Sequence, residues 1–97
     1  MADVVATENW VILKTYAQND RVFMVEWRCD RTTDGFTLPF GGESDVDVPV
    51  NCTSDEMVAA IMLDVGPSRL EEIRTFNSDM AIREAKKAAA TITVFGE

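Results

Sequence analysis

Along residues 22–29 Phe23, Val25, Trp27 and Cys29 share one parity, while Glu26 and Arg28 share the other. A period of two belongs to a strand with one dry and one wet side, so the first group is expected to face a core. Residues 9–17, with Trp10, Val11, Ile12, Leu13 and Tyr16, come before it, and the polar group Gln18-Asn19-Asp20-Arg21 between the two runs reads as a hairpin turn. Trp10 and Tyr16 share a parity opposite to that of Val11 and Leu13, which places them on one face; aromatic groups left uncovered there would form a docking surface. Asp34-Gly35 suits another turn with positive φ, followed by a short apolar piece, residues 36–40, interrupted at Pro39. Gly41-Gly42 is expected to break the chain before a further strand in which Glu43, Asp45 and Asp47 point one way and Val46, Val48 and Val50 the other. Pro49 has no N–H to give a ladder, so that strand should lie at an edge.

The period then lengthens. Thr53-Ser54-Asp55-Glu56 has the form of a capping box, and Met57, Val58, Ile61, Met62 and Val65 recur at helical spacing until Gly66-Pro67 ends the element. Ser68 with Glu71 repeats the capping signature ahead of Leu70, Ile73 and Phe76, predicting a short second helix. Ser78 is placed to cap a third, from Asp79 to about Ala90, with Asp79 near its positive end and Lys86 and Lys87 near its negative end. Residues 91–95, Thr-Ile-Thr-Val-Phe, have the β-branched character of a returning strand. The fold class expected is α+β: a mainly antiparallel sheet of four to five strands with two to three helices on one face, in the order β-β-β-β-α-α-α-β. At 97 residues the chain fits one domain.

Charge narrows the partners. Acids outnumber Lys and Arg 17 to 9, for a net charge of −8, and histidine is absent. Binding through phosphates needs clustered cations, so direct nucleic-acid contact is disfavoured, and the same sign argues against anionic membrane surfaces. The longest uncharged apolar run, residues 57–63, is too short to span a bilayer. The first eight residues have neither a basic region nor a sustained apolar stretch, so no secretory signal is read and a cytoplasmic location is expected, with Cys29 and Cys52 as free thiols. The imbalance is uneven: residues 32–68 hold seven acids and no Lys or Arg, whereas residues 66–97 hold five of each sign. Turn and helix-start preferences account for Asp34, Asp55 and Glu56. Glu43, Asp45, Asp47 and Asp64 remain as a candidate acidic face that would attract a basic protein surface.

Little else points to chemistry. Nucleophilic triads and most transition-metal sites use a histidine this chain lacks, and no phosphate loop, dinucleotide fingerprint or zinc spacing occurs. Neither a metal nor another cofactor is implied. Small size, acidity and few catalytic groups together resemble the composition of small phage-encoded proteins, among them anti-restriction and anti-CRISPR inhibitors and virion connectors. The reading that follows is a non-catalytic module whose acidic face blocks or modulates a basic partner, such as a nucleic-acid-processing complex, by standing in for phosphates. The alternative is a structural assembly subunit, a homo-oligomer or virion component, that docks through Trp10, Tyr16 and the edge strand. A further alternative is a small carboxylate or thiol enzyme.

Overall fold

At Asn19 and Asp20 the backbone takes φ of 53° and 62°, and at Asp34 and Gly35 it takes 50° and 83°. Two consecutive residues with positive φ make the two-residue turn whose twist matches that of the flanking strands. The computed structural model describes residues 5–92, and these two turns join β1 (Ala6–Gln18), β2 (Arg21–Thr33) and β3 (Phe36–Pro49) into an antiparallel sheet in that spatial order. Helices α1 (Ser54–Val65) and α2 (Pro67–Ala89) follow. The architecture is α+β as expected, with three strands and two helices among the described residues where four to five strands and two to three helices were predicted. Of the predicted returning strand, Thr91 and Ile92 lie in no regular element, and residues 93–95 lie outside the described residues.

The strand count falls because Gly41-Gly42 does not interrupt β3. A Cβ on Gly41 would sit 2.4 Å from the backbone oxygen of Trp27 and 3.1 Å from Cα of Arg28, so glycine here permits a close approach between neighbouring strands. The predicted pieces on either side of it form one strand of 14 residues. β3 is an edge strand, as Pro49 suggested, and β1 forms the other edge.

Two register shifts between β1 and β2, and one between β2 and β3, correct the parity reading. Trp10 opposes Cys29 and Ile12 opposes Trp27, but the shift between Ile12 and Lys14 makes Leu13 an extra residue, after which Thr15 opposes Val25 and Tyr16 opposes Met24. Trp10 and Tyr16 therefore lie on opposite faces. A second shift lets Val22, 3% exposed, take the core position expected for Phe23, which is 49% exposed. Val25, Trp27 and Cys29 are buried as predicted. The indole Nε1 of Trp27 donates to Oγ of the buried Ser44 at 2.9 Å, so neither polar atom is stranded.

Both helices cover the face that carries Trp10, Trp27 and Cys29. The capping box at α1 forms in full: Glu56 N–H donates to Thr53 Oγ1, and the Thr53 N–H donates to Glu56 Oε1. Met57 and Ile61 press onto the sheet, joining Val22, Val25, Trp27 and Cys29 in one core; full burial of an Ile or Val side chain contributes about 1.5–3 kcal/mol. Gly66, at φ 89°, ends α1 through its N–H to the Met62 carbonyl and begins α2, where Pro67 occupies the first turn. Ser68 thus caps nothing. Nor does Ser78, because α2 is one helix of 23 residues. Ser78, read as a cap, faces the sheet, where its Oγ meets Arg31 and Thr33, and the neighbouring Asn77 Nδ2 donates to the Leu38 carbonyl at 2.8 Å.

Candidate functional site

β3 is exposed along its outer edge, and α1 lies beside it on the core side. Asp45 and Asp47, two residues apart on β3, and Asp64 on α1 together line a groove of about 400 Å³ with the half-buried Val46 and Ala60 and the exposed Leu63. Asp64 Oδ2 accepts the outward N–H of Asp45 at 3.2 Å, which ties the last turn of α1 to the strand and occupies an edge donor. Three of the four predicted acidic residues thus share one groove. Glu43, exposed, stands apart: it opposes Glu26 across the sheet and lines a separate recess with Gly41, Gly42 and Arg69.

The acidic edge is not wholly without cations. Arg21, at the turn of the β1–β2 hairpin, forms an ion pair with Asp47 at 2.8 Å and also donates to its backbone carbonyl. The two side chains are 49% and 83% exposed, so water and salt screen the pair strongly. Asp45, Asp64 and Glu43 have no ion pair among the described residues.

The predicted aromatic face divides. Trp10 packs 5.1 Å from Trp27 and edge-on to Phe40 at 6.0 Å, half-buried against the core. Tyr16 lies on the side that neither α1 nor α2 covers, its ring 6.5 Å from Phe23 and beneath the Lys14 ammonium, and its hydroxyl donates to Glu26 at 2.9 Å. That bond to a carboxylate raises the Tyr16 pKa, since the neutral phenol is the donor.

A cluster that the sequence reading passed over joins three elements. Glu8 on β1 receives Arg74 of α2 through two hydrogen bonds of 2.8 and 2.7 Å, and Arg31 of β2 at 3.1 Å. Arg31 also donates to Thr33 Oγ1, to Ser78 and to the Arg74 carbonyl. Burial acts to raise the Glu8 pKa, but the hydrogen bonds and charge of Arg74 and the bond from Arg31 outweigh it and hold the carboxyl below its ordinary 4.5. The signal was present in the parity: Glu8 keeps step with Trp10 and Ile12, and Arg31 with Cys29 and Trp27, so each puts a charge where its strand faces inward. The network anchors α2 and is structural in character.

The thiols differ in setting. Cys29 is fully buried, and burial, reinforced by the charge of Glu8, pushes its pKa up to about 12. Cys52 is half-buried and lines a cleft of about 250 Å³ between β1 and the start of α1. Among the described residues no group of three or more Cys, Asp or Glu is placed to hold a metal ion, and no helix is long and apolar enough to cross a membrane. No family model, curated protein or solved structure matches the chain.

Proposed function

We propose that the chain is a non-catalytic binding module that engages a basic protein surface through the acidic edge formed by β3 and α1. The observation that supports this reading is the convergence of Asp45 and Asp47 with Asp64 on one groove. Along a single strand, carboxylates two residues apart are separated by roughly 6.7 Å, wider than the ~3.4 Å spacing of phosphates along one nucleic-acid strand. Asp64 supplies a second row from another element, which a phosphate-like array requires. A partner built to hold nucleic acid is therefore the class this edge suits, and occupying its basic surface would block or modulate it.

The test is charge reversal at the exposed positions Glu43, Asp45 and Asp64. Immobilised parent and the triple variant E43K/D45K/D64K are compared for the proteins each retains from cell extract as salt is raised. Parent should hold basic proteins that elute with salt, and the variant should lose them. Retention of the same proteins with the same salt dependence would remove the proposal.

A second reading, self-assembly, draws on the side of the sheet opposite α1 and α2, where the Tyr16 and Phe23 rings lie tilted 6.5 Å apart, and on Leu13, 55% exposed at the β1 edge. Light scattering separates the two: a monomer at high concentration counts against assembly through that side.

A further inference from the structure

The composition of α1 is at odds with its surroundings. From Met57 to Leu63 it carries no polar side chain, and a helix apolar on every side is ordinarily enclosed on every side. Here only Met57 and Ile61 are buried; Ala59 is exposed, and Leu63 is 81% exposed. Apart from Arg21, whose screened pair with Asp47 is described above, the charges placed along this face are negative: Asp55 and Glu56 at one end of the helix, Asp64 at the other, and Asp45 and Asp47 along the adjoining groove.

We propose that the outer face of α1 and the groove beside it seat an amphipathic basic helix of a partner protein, its apolar stripe covering Leu63 and its lysines or arginines meeting Asp45, Asp47 and Asp64. This rests on the reading of the chain as a binder of basic proteins and adds the element that is bound. Charge complementarity selects the sign. A second copy of this chain would set acid against acid on the same face. An extended strand is disfavoured as the occupant because the β3 edge is blunted: Pro39 and Pro49 have no N–H, and the N–H of Asp45 is held by Asp64. A helix needs none of these donors, and Ala59 and Ala60 allow its axis to approach closely.

The test uses a labelled synthetic peptide of about 18 residues, with leucines at helical spacing on one side and lysines on the other, and a scrambled peptide of the same composition. Fluorescence anisotropy follows binding to parent, to L63S and to D45K/D47K/D64K. Leu63 is almost wholly in solvent, so L63S should keep the fold, which circular dichroism checks. The amphipathic peptide should bind parent more tightly than the scrambled one, L63S should weaken it about tenfold, in keeping with the burial of one leucine, and charge reversal should abolish it. Equal binding of the two peptides, L63S binding as parent does, or failure of the amphipathic peptide to bind would each overturn the inference. If charge reversal still abolishes binding while L63S is neutral, only the helix proposal falls; if charge reversal also leaves binding unchanged, the basic-partner reading falls with it.

Discussion

Replacing Glu8 with Gln keeps the shape of the side chain and removes its charge, leaving the guanidinium groups of Arg31 and Arg74 to face a neutral amide. Glu8 accepts three hydrogen bonds from these two cations, and the side chains of Arg31, Glu8 and Arg74 are 12%, 19% and 33% exposed. A hydrogen bond to a charged group contributes about 1.5–3 kcal/mol, and removing one partner of a fully buried ion pair costs about 3–5 kcal/mol. Partial exposure screens both figures, and one amide oxygen still accepts, so E8Q is expected to lose about 2 kcal/mol. At roughly 4–8 °C per kcal/mol for a domain of this size, the melting temperature should fall by about 10 °C. Urea denaturation of parent and E8Q across pH supplies the second half of the test. The carboxyl of Glu8 is held below 4.5 in the folded state, so its contribution is complete above that pH and is lost as pH falls through the folded value. The gap between parent and variant should therefore be constant near neutrality and narrow in acid. E8Q within about 0.5 kcal/mol of parent, or a gap unchanged in acid, would refute the network as the anchor of α2.

Two further outcomes test the fold. Gly41→Ala should cost about 1–3 kcal/mol by urea denaturation, because its methyl would enter the 2.4 Å space before the Trp27 oxygen; the same change at Gly42, which has nothing within 4 Å of that position, should cost less. In pulsed alkylation read by mass spectrometry, Cys52 should label in the native protein, whereas the enclosed Cys29 should label only as the protein unfolds; equal rates would mean the core is not closed over β2.

What the sequence made legible was local. Alternation over Val25, Trp27 and Cys29, the positive-φ turn residues, the Thr53–Glu56 box and the Gly66-Pro67 stop each depend on neighbours a few positions away, and each was read correctly. The errors arose where distant segments decide. One extra residue, Leu13, puts Trp10 and Tyr16 on opposite faces, and only pairing with β2 reveals the bulge. Gly41 resembled a breaker because the strand crowding it is distant in sequence, and Ser78 resembled a cap because the groups it meets lie on β2. The acidic edge was legible in the same limited way: its carboxylates could be counted, but neither the meeting of Asp64 with Asp45 nor the pairing of Arg21 with Asp47 follows from spacing.

The Glu8–Arg74 link joins positions 66 residues apart, whereas the strands close through turns of two residues each. Hairpins with such short loops have little chain entropy to overcome, so the meander is expected to form early, with Arg31 already beside Glu8 before α2 arrives. Docking of α2 then completes a half-made ion cluster and acts as the clasp of the fold. Transient opening should start where that clasp releases, lifting α2 from the sheet while the strands remain paired.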